Sequence, residues 1–293
     1  MCPNIARPRA LIELAERYVS NAFDPALFAG TRVDLYRLAK TRAIHTVEFR
    51  PLLADGCLLV DNKGFAVQIN DQQPSMAAVT SDQGQRLSVK QRFTFAHEIA
   101  HTLPYDITRQ PPRPKEQAVQ LISAVGGRQG TQSLEGFCQI AAGLMLVPTA
   151  GLKRKEALGR FGRVDSLGSV LRLAQLFDVS PEVVIHRVAD SGESEAIKAA
   201  DFALIMVRDV RGEGQIRASI CSPTLKSFAG PPKLYSRMRT WVKRTSALRN
   251  LDVLTSGAFE WEKNASDGVV RVVKKPYGRQ PGSYFLELKY NPR

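Results

Sequence analysis

The chain has 293 residues, of which 44% are hydrophobic and 24% charged, and a formal net charge of +13. That length supports a substantial core and suggests about two domains; with no run of about eighteen apolar residues, a membrane-spanning helix is excluded. The positive balance suggests an anionic partner, nucleic acid being the commonest, with solubility the alternative for part of it.

The first residues lack the apolar core of a secretory signal. The four cysteines, Cys2, Cys57, Cys138 and Cys221, show no C-x-x-C spacing, so a reduced, cytoplasmic protein is expected. A first helix is predicted over 8–23 from the stripe Leu11, Ile12, Leu14, Ala15, Tyr18 and Val19, and a second over 33–40. Short β-rich runs follow at 45–49, 57–60 and 64–69, and Asp61-Asn62-Lys63-Gly64 has hairpin chemistry between the last two. His45 falls in the first of these strands and is read as structural. A polar stretch, 81–85, leads to Ser88, an expected N-cap.

The helix after Ser88 carries the chemistry. Arg92-Phe93-Thr94-Phe95-Ala96-His97-Glu98-Ile99-Ala100-His101 places two of the chain's four histidines four residues apart, on one helical face. Their imidazoles can converge on one ion, and Glu98 follows His97 by about 100° of helix turn, within reach of a water there. This is the H-E-x-x-H pattern of zinc peptidases, with the glutamate as general base. The flanking Phe93, Phe95, Ala96, Ile99, Ala100 and Leu103 predict a largely buried helix, in which imidazole and carboxylate need partners. Pro104 should end it at Leu103. Tyr105 is the nearest side chain in sequence for supporting an oxyanion. A stiff basic loop is expected over 109–114, a helix over 115–124 and a glycine-rich connector over 126–131.

A catalytic zinc takes three protein ligands. The strongly apolar helix predicted over 134–148 contains one charged residue, Glu135, which is the leading third ligand. A first-turn acid favoured by the helix dipole is the alternative, and Glu116 and Asp106 are rivals. Gln139, one turn beyond Glu135, is placed to orient a ligand from behind. Cys138 is read as a small core residue.

The combination R-F-T-F-A-H-E-I-A-H-T-L at 92–103 with Glu135, Ala141-Ala142, Met145-Leu146 and Pro148 resembles the ImmA/IrrE family of metallopeptidases. That family typically reads R-F-T-x-A-H-E-x-G-H, then E-x-x-A-N-x-F-A-A-x-L-L-M-P. The departures are Ala100 for glycine, Cys138-Gln139 for Ala-Asn, Ala141 for Phe and Val147 for Met; none removes a ligand or the base. The resemblance covers roughly 56–148 and continues weakly to about 189. It implies a zincin-like core, Zn²⁺ on His97, His101 and Glu135, and a narrow protein substrate, commonly a helix-turn-helix repressor of stress-response or mobile-element genes.

Residues 166–188 read as helix, turn, helix, with Ser180 as N-cap and Pro181 opening the second helix. The layout resembles a helix-turn-helix, yet only His186 and Arg187 stand among valines and isoleucine, so a structural pair and a DNA reader both remain open. A polar linker at 191–195 opens a C-terminal domain: strands at 202–207 and 215–221, a helix, then strands at 251–254, 268–273 and 284–290. Its helix carries Lys233, Arg237, Arg239, Lys243, Arg244 and Arg249 opposite Leu234, Met238, Trp241 and Leu248. That basic face is either solvated or meets phosphate or an acidic partner.

The sequence therefore predicts an α+β chain: a zincin-like peptidase domain over 1–160, a helix-turn-helix-like segment over 161–192, and a basic α+β domain over 193–293, compatible with a GAF-like sensor. The expected activity is zinc-dependent, site-specific endoproteolysis. The alternatives are a DNA-binding regulator with a structural or vestigial metal site, and a peptidase-like toxin paired with an antitoxin.

Overall fold

A computed structural model describes residues 8–72, 80–82, 85–126, 131–152, 164, 166–190, 202–210, 213–221, 258–261, 268–276 and 283–292. It is an α+β protein dividing into two compact units, residues 6–157 with 174–190, and residues 1–5, 158–173 and 191–293.

In the larger unit, α1 (Arg9–Ala22) buries Leu11, Ile12, Leu14, Ala15 and Val19, the apolar stripe that predicted it. After a single 3₁₀ turn, α2 (Leu35–Thr41) starts on Asp34, whose carboxylate accepts the Arg37 N–H. The three predicted strands form one sheet, β1 (Ile44–Arg50), β2 (Gly56–Asp61) and β3 (Gly64–Asn70), in the order β1-β3-β2. β1 runs parallel to β3, and β2 is its antiparallel hairpin partner. The hairpin closes because Asp61 Oδ1 accepts the Lys63 and Gly64 N–H groups, at 2.7 and 3.0 Å. Gly64 has φ +141° and lies against the Ala43 carbonyl, a backbone no side chain could share. β1 and β2 are the two outer strands of this sheet.

The polar stretch leading to Ser88 contributes to a small ladder, β4 (Thr80–Asp82) with β5 (Gln85–Leu87). α3 (Val89–His101) then begins in a full capping box. Ser88 Oγ accepts the Gln91 N–H at 3.1 Å, and Gln91 Oε1 accepts the Ser88 N–H at 3.0 Å. The helix ends at His101 rather than Leu103. Thr102 turns back on Ile99 O through its hydroxyl at 2.7 Å, and Arg42 donates to Thr102 O at 2.7 Å, satisfying a terminal carbonyl from outside the helix.

The loop expected over 109–114 is tied at both ends, because β6 (Tyr105–Asp106) pairs with β7 (Arg113–Pro114). α4 (Glu116–Gly126) and α5 (Thr131–Leu146) follow. α5 starts three residues before its predicted position. Most of the glycine connector, 127–130, lies outside the described residues. α5 packs on α3 and α1, so the helix bearing Glu135 lies against the helix bearing the histidines. A single turn, α6 (Thr149–Leu152), follows α5.

α7 (Leu167–Phe177) and α8 (Pro181–Asp190) are the helical pair read from the sequence. Ser180 Oγ accepts the Val183 N–H at 3.4 Å, and Pro181 occupies the first helical position. The turn and the second helix are held in the larger unit by buried charge. Arg92 Nε of α3 lies 3.3 Å from Asp178 Oδ2 in the turn, with both side chains almost wholly buried. Arg187, fully buried, donates to Val147 O and Thr149 Oγ1, each at 3.1 Å, at the end of α5. Of the two polar side chains noted on α8, Arg187 is thus withdrawn from solvent.

In the smaller unit, β8 (Phe202–Val210), β9 (Glu213–Cys221), β10 (Ala258–Trp261), β11 (Gly268–Pro276) and β12 (Ser283–Pro292) form an antiparallel sheet ordered β10-β11-β12-β8-β9. Met206 pairs with Phe285 and Leu204 with Glu287, so these four buried residues share one face, as strand alternation requires. Glu287 Oε1 accepts the Leu167 N–H at 3.0 Å, an acid against the positive end of α7. β10 was not predicted; the strand expected at 251–254 and the basic helix with Lys233, Arg237, Arg239, Lys243, Arg244 and Arg249 lie outside the described residues.

Candidate metal centre

Packing of α5 on α3 brings three donors together. His97 Nε2 lies 3.1 Å from His101 Nε2 and 3.1 Å from Glu135 Oε2, and His101 Nε2 lies 3.4 Å from Glu135 Oε1. All three ligand atoms fall within 4.8 Å of one another, a group able to hold a metal ion. The two imidazoles project from successive turns of α3 and meet nearly perpendicular, 82° between ring planes. Glu135 reaches them from the second turn of α5, its side chain about half exposed.

The electrostatics suit a cation. Burial lowers the His97 pKa, against the pull of Glu135, while burial and then His97 lower that of His101 to about 4. Both rings are therefore neutral near pH 7 and offer lone pairs, and the carboxylate adds the negative charge. Three acceptor-bearing groups so close together, with no lysine or arginine among the residues lining the space in front, leave a cation as the fitting occupant.

Glu98 is buried, 6% exposed, beside this group. Burial first, and the Glu135 carboxylate second, push its pKa up from 4.5 to about 7. It faces a cavity of about 500 Å³ bounded by the 55–58 stretch opening β2, by Phe93 and Thr94 of α3, by Leu134 and Gln139 of α5, and by Tyr105. Gly56 makes the close approach of β2 possible. A Cβ there would lie 2.6 Å from Thr94 Cγ2 and 3.2 Å from Glu98 Oε1.

Tyr105 borders the same cavity, its ring edge-on to Phe65 with 5.2 Å between centroids, and its carbonyl accepts from Arg42 at 3.4 Å. Gln139 lines the cavity but is exposed, and the side chain that touches a histidine is its neighbour. Cys138 Sγ lies 3.4 Å from His101 Nδ1. Sequence reasoning had assigned that cysteine to the core. It is fully buried, but its three-residue spacing from Glu135 was the available signal that it shares the ligand's face.

The rivals for the third ligand are placed elsewhere. Asp106 is engaged by Thr108 and Arg109 in its own loop, and Glu116 is exposed on the first turn of α4. His45 bonds Thr46 at 2.8 Å and Asp61 at 2.9 Å across the sheet. The basic residues proposed for anion or partner binding, Lys233, Arg237, Arg239, Lys243 and Arg244, are outside the described residues.

No family model matches the sequence, and no curated protein does. Among solved structures, a transcriptional regulator of Mycobacterium tuberculosis aligns with 96% of this chain and 76% of its own, at 13% identity and a TM-score of 0.48. A likeness at that level carries no argument about activity. Among the described residues, no helix is long and apolar enough to cross a membrane.

Proposed function

We propose that the protein is a zinc-dependent endopeptidase with a zincin-like core, of the kind its resemblance to the ImmA/IrrE family implies. The observation that carries this reading is the meeting of His97 Nε2, His101 Nε2 and the Glu135 carboxylate beside a buried Glu98, all facing one cavity. Zinc held by the three ligands would supply Lewis acidity toward a peptide carbonyl. Glu98, with its pKa raised to about 7, is poised to take a proton from the attacking water and return it to the leaving amine. Tyr105, across the cavity, is the candidate for supporting the developing oxyanion.

The substrate class is read from the same resemblance: a helix-turn-helix repressor cut at one site. The antiparallel sheet of the smaller unit is compatible with a GAF-like sensor, an inference from fold analogy alone. The rival reading, a DNA-binding regulator with a structural metal site, draws on the net charge of +13. Against it stands the burial of Arg187, which removes a cationic side chain that a recognition helix would need.

The test combines zinc content by elemental analysis with cleavage of a repressor encoded beside this protein, with and without chelator. The wild type should bind one zinc and cleave. Glu98→Gln should keep the zinc and lose about 10²- to 10⁴-fold in rate. Glu135→Ala should lose the zinc. Retained cleavage by Glu98→Gln would sink the assigned base, and a zinc-free wild type would sink the enzyme.

A further inference from the structure

We propose that Cys138 is the positioning residue for the metal ligand His101: its sulfur accepts the ring's Nδ1–H and so turns the Nε2 lone pair toward the ion. The proposal rests on reading the His97, His101 and Glu135 group as a metal site, and it names what holds one of those ligands in place. His101 Nε2 already faces His97 Nε2 at 3.1 Å and Glu135 Oε1 at 3.4 Å, so its lone pair is aimed at the shared centre. A neutral imidazole with one nitrogen on a metal must carry its proton on the other. The atom that meets that other nitrogen is Cys138 Sγ, at 3.4 Å, ordinary N–H···S reach.

The sulfur lies behind the ring, beyond the nitrogen turned away from the centre, which separates this role from that of a fourth ligand. One helix thus provides both a ligand and the rear support of a ligand on another helix. Glu135 and Cys138 are three residues apart on α5 and share a face. The neighbouring Gln139 is exposed at the cavity and offers no such contact. The two histidines are held unequally: His97 Nδ1 is buried with no hydrogen-bond partner among the described residues. The thiol remains a neutral group. Burial, then the nearby Glu135 and Glu98 carboxylates, hold its pKa well above the usual thiol value. A neutral sulfur is a weaker acceptor than the carboxylates and carbonyls usual behind metal-bound histidines, so its effect belongs at the low end of the outer-partner range.

The experiment is zinc affinity of the full chain by competition with a chromogenic chelator, for the wild type, Cys138→Ser and Cys138→Ala, alongside ¹⁵N NMR of the histidine rings in the zinc-loaded wild type. The wild type should show His101 with a proton on Nδ1 that exchanges slowly with solvent. Cys138→Ala should bind zinc about tenfold more weakly and lose that slow exchange, while Cys138→Ser, which keeps an acceptor, should recover most of the affinity. Equal affinity in the wild type and Cys138→Ala overturns the proposal, as does equal weakening of both variants, which would mark a packing role. If Cys138→Ala fails to fold, the wild-type spectrum still decides: a proton on Nε2, or a rapidly exchanging one on Nδ1, overturns it. A wild type that binds no zinc removes the metal reading itself, a failure separable from loss confined to the variants.

Discussion

Burial in its own fold makes the Glu98 carboxyl harder to ionise, and this has a consequence for stability. Its pKa rises from 4.5 to about 7 on folding, so between those values the folded chain holds a proton that the unfolded chain releases. In the metal-free protein this contribution to stability is present below 4.5 and is lost as pH rises through about 7. His101 has the opposite sign. Its pKa falls from 6.5 to about 4, so stability is lost as pH drops through that window. Glu98→Gln should abolish the high-pH decline and leave the acid-side loss intact. Thermal midpoints of the chelated wild type and variant across both windows measure this, and parallel profiles would count against the assignment. Gly56 gives a second residue-level expectation. Gly56→Ala places a methyl 2.6 Å from Thr94 Cγ2 and 3.2 Å from Glu98 Oε1, costing about 1–3 kcal/mol by overpacking. Turnover should fall while zinc content, measured on the same sample, stays stoichiometric.

At the scale of elements, the two helices carrying the candidate ligands are braced by the turn and second helix that follow them. The brace on α3 is Arg92 with Asp178, and on α5 it is Arg187 with Val147 O and Thr149 Oγ1. Removing one partner of a buried ion pair strands the other charge, at a cost of about 3–5 kcal/mol. Arg92→Met should therefore lower the denaturation midpoint strongly. Arg92→Met with Asp178→Asn should recover part of the loss, because the second change removes the stranded charge and asparagine tolerates the φ of +56° at that position. A double variant no more stable than Arg92→Met alone would mean that the pair's charge is not what the fold depends on. The helix-turn-helix-like pattern has a packing explanation on these grounds. Its turn and the buried face of its second helix are occupied by the core.

For the molecule as a whole, the charge of +13 is spread over a chain whose strongly basic stretch 233–249 lies outside the described residues. Long-range attraction needs no defined site, so binding to any nucleic acid should be detectable at low ionic strength and should weaken linearly in log salt. Fluorescence anisotropy with two unrelated duplexes checks this: similar affinities and slopes are expected, and chelation should change neither. A strong preference for one sequence would revive the regulator reading.

The sequence alone singled out the candidate metal-site residues and most of the described elements. Two histidines at helical spacing with an adjoining glutamate specify their mutual geometry locally, and Ser88 as N-cap specifies where that helix begins. The strands of the first sheet were legible from apolar runs and from Asp61 and Gly64, whose turn chemistry is also local. What the sequence left open was set by contacts between distant segments. The choice among Glu135, Asp106 and Glu116 depends on which helix packs against α3. The burial of Arg187 depends on the end of α5, 38–40 residues away. Cys138 had the pattern of an ordinary core residue, and its three-residue spacing from Glu135 placed it on that residue's face without saying what it meets. Only the tertiary structure sets its sulfur behind His101, because a hydrogen bond between helices depends on how their faces meet rather than on the spacing within either one.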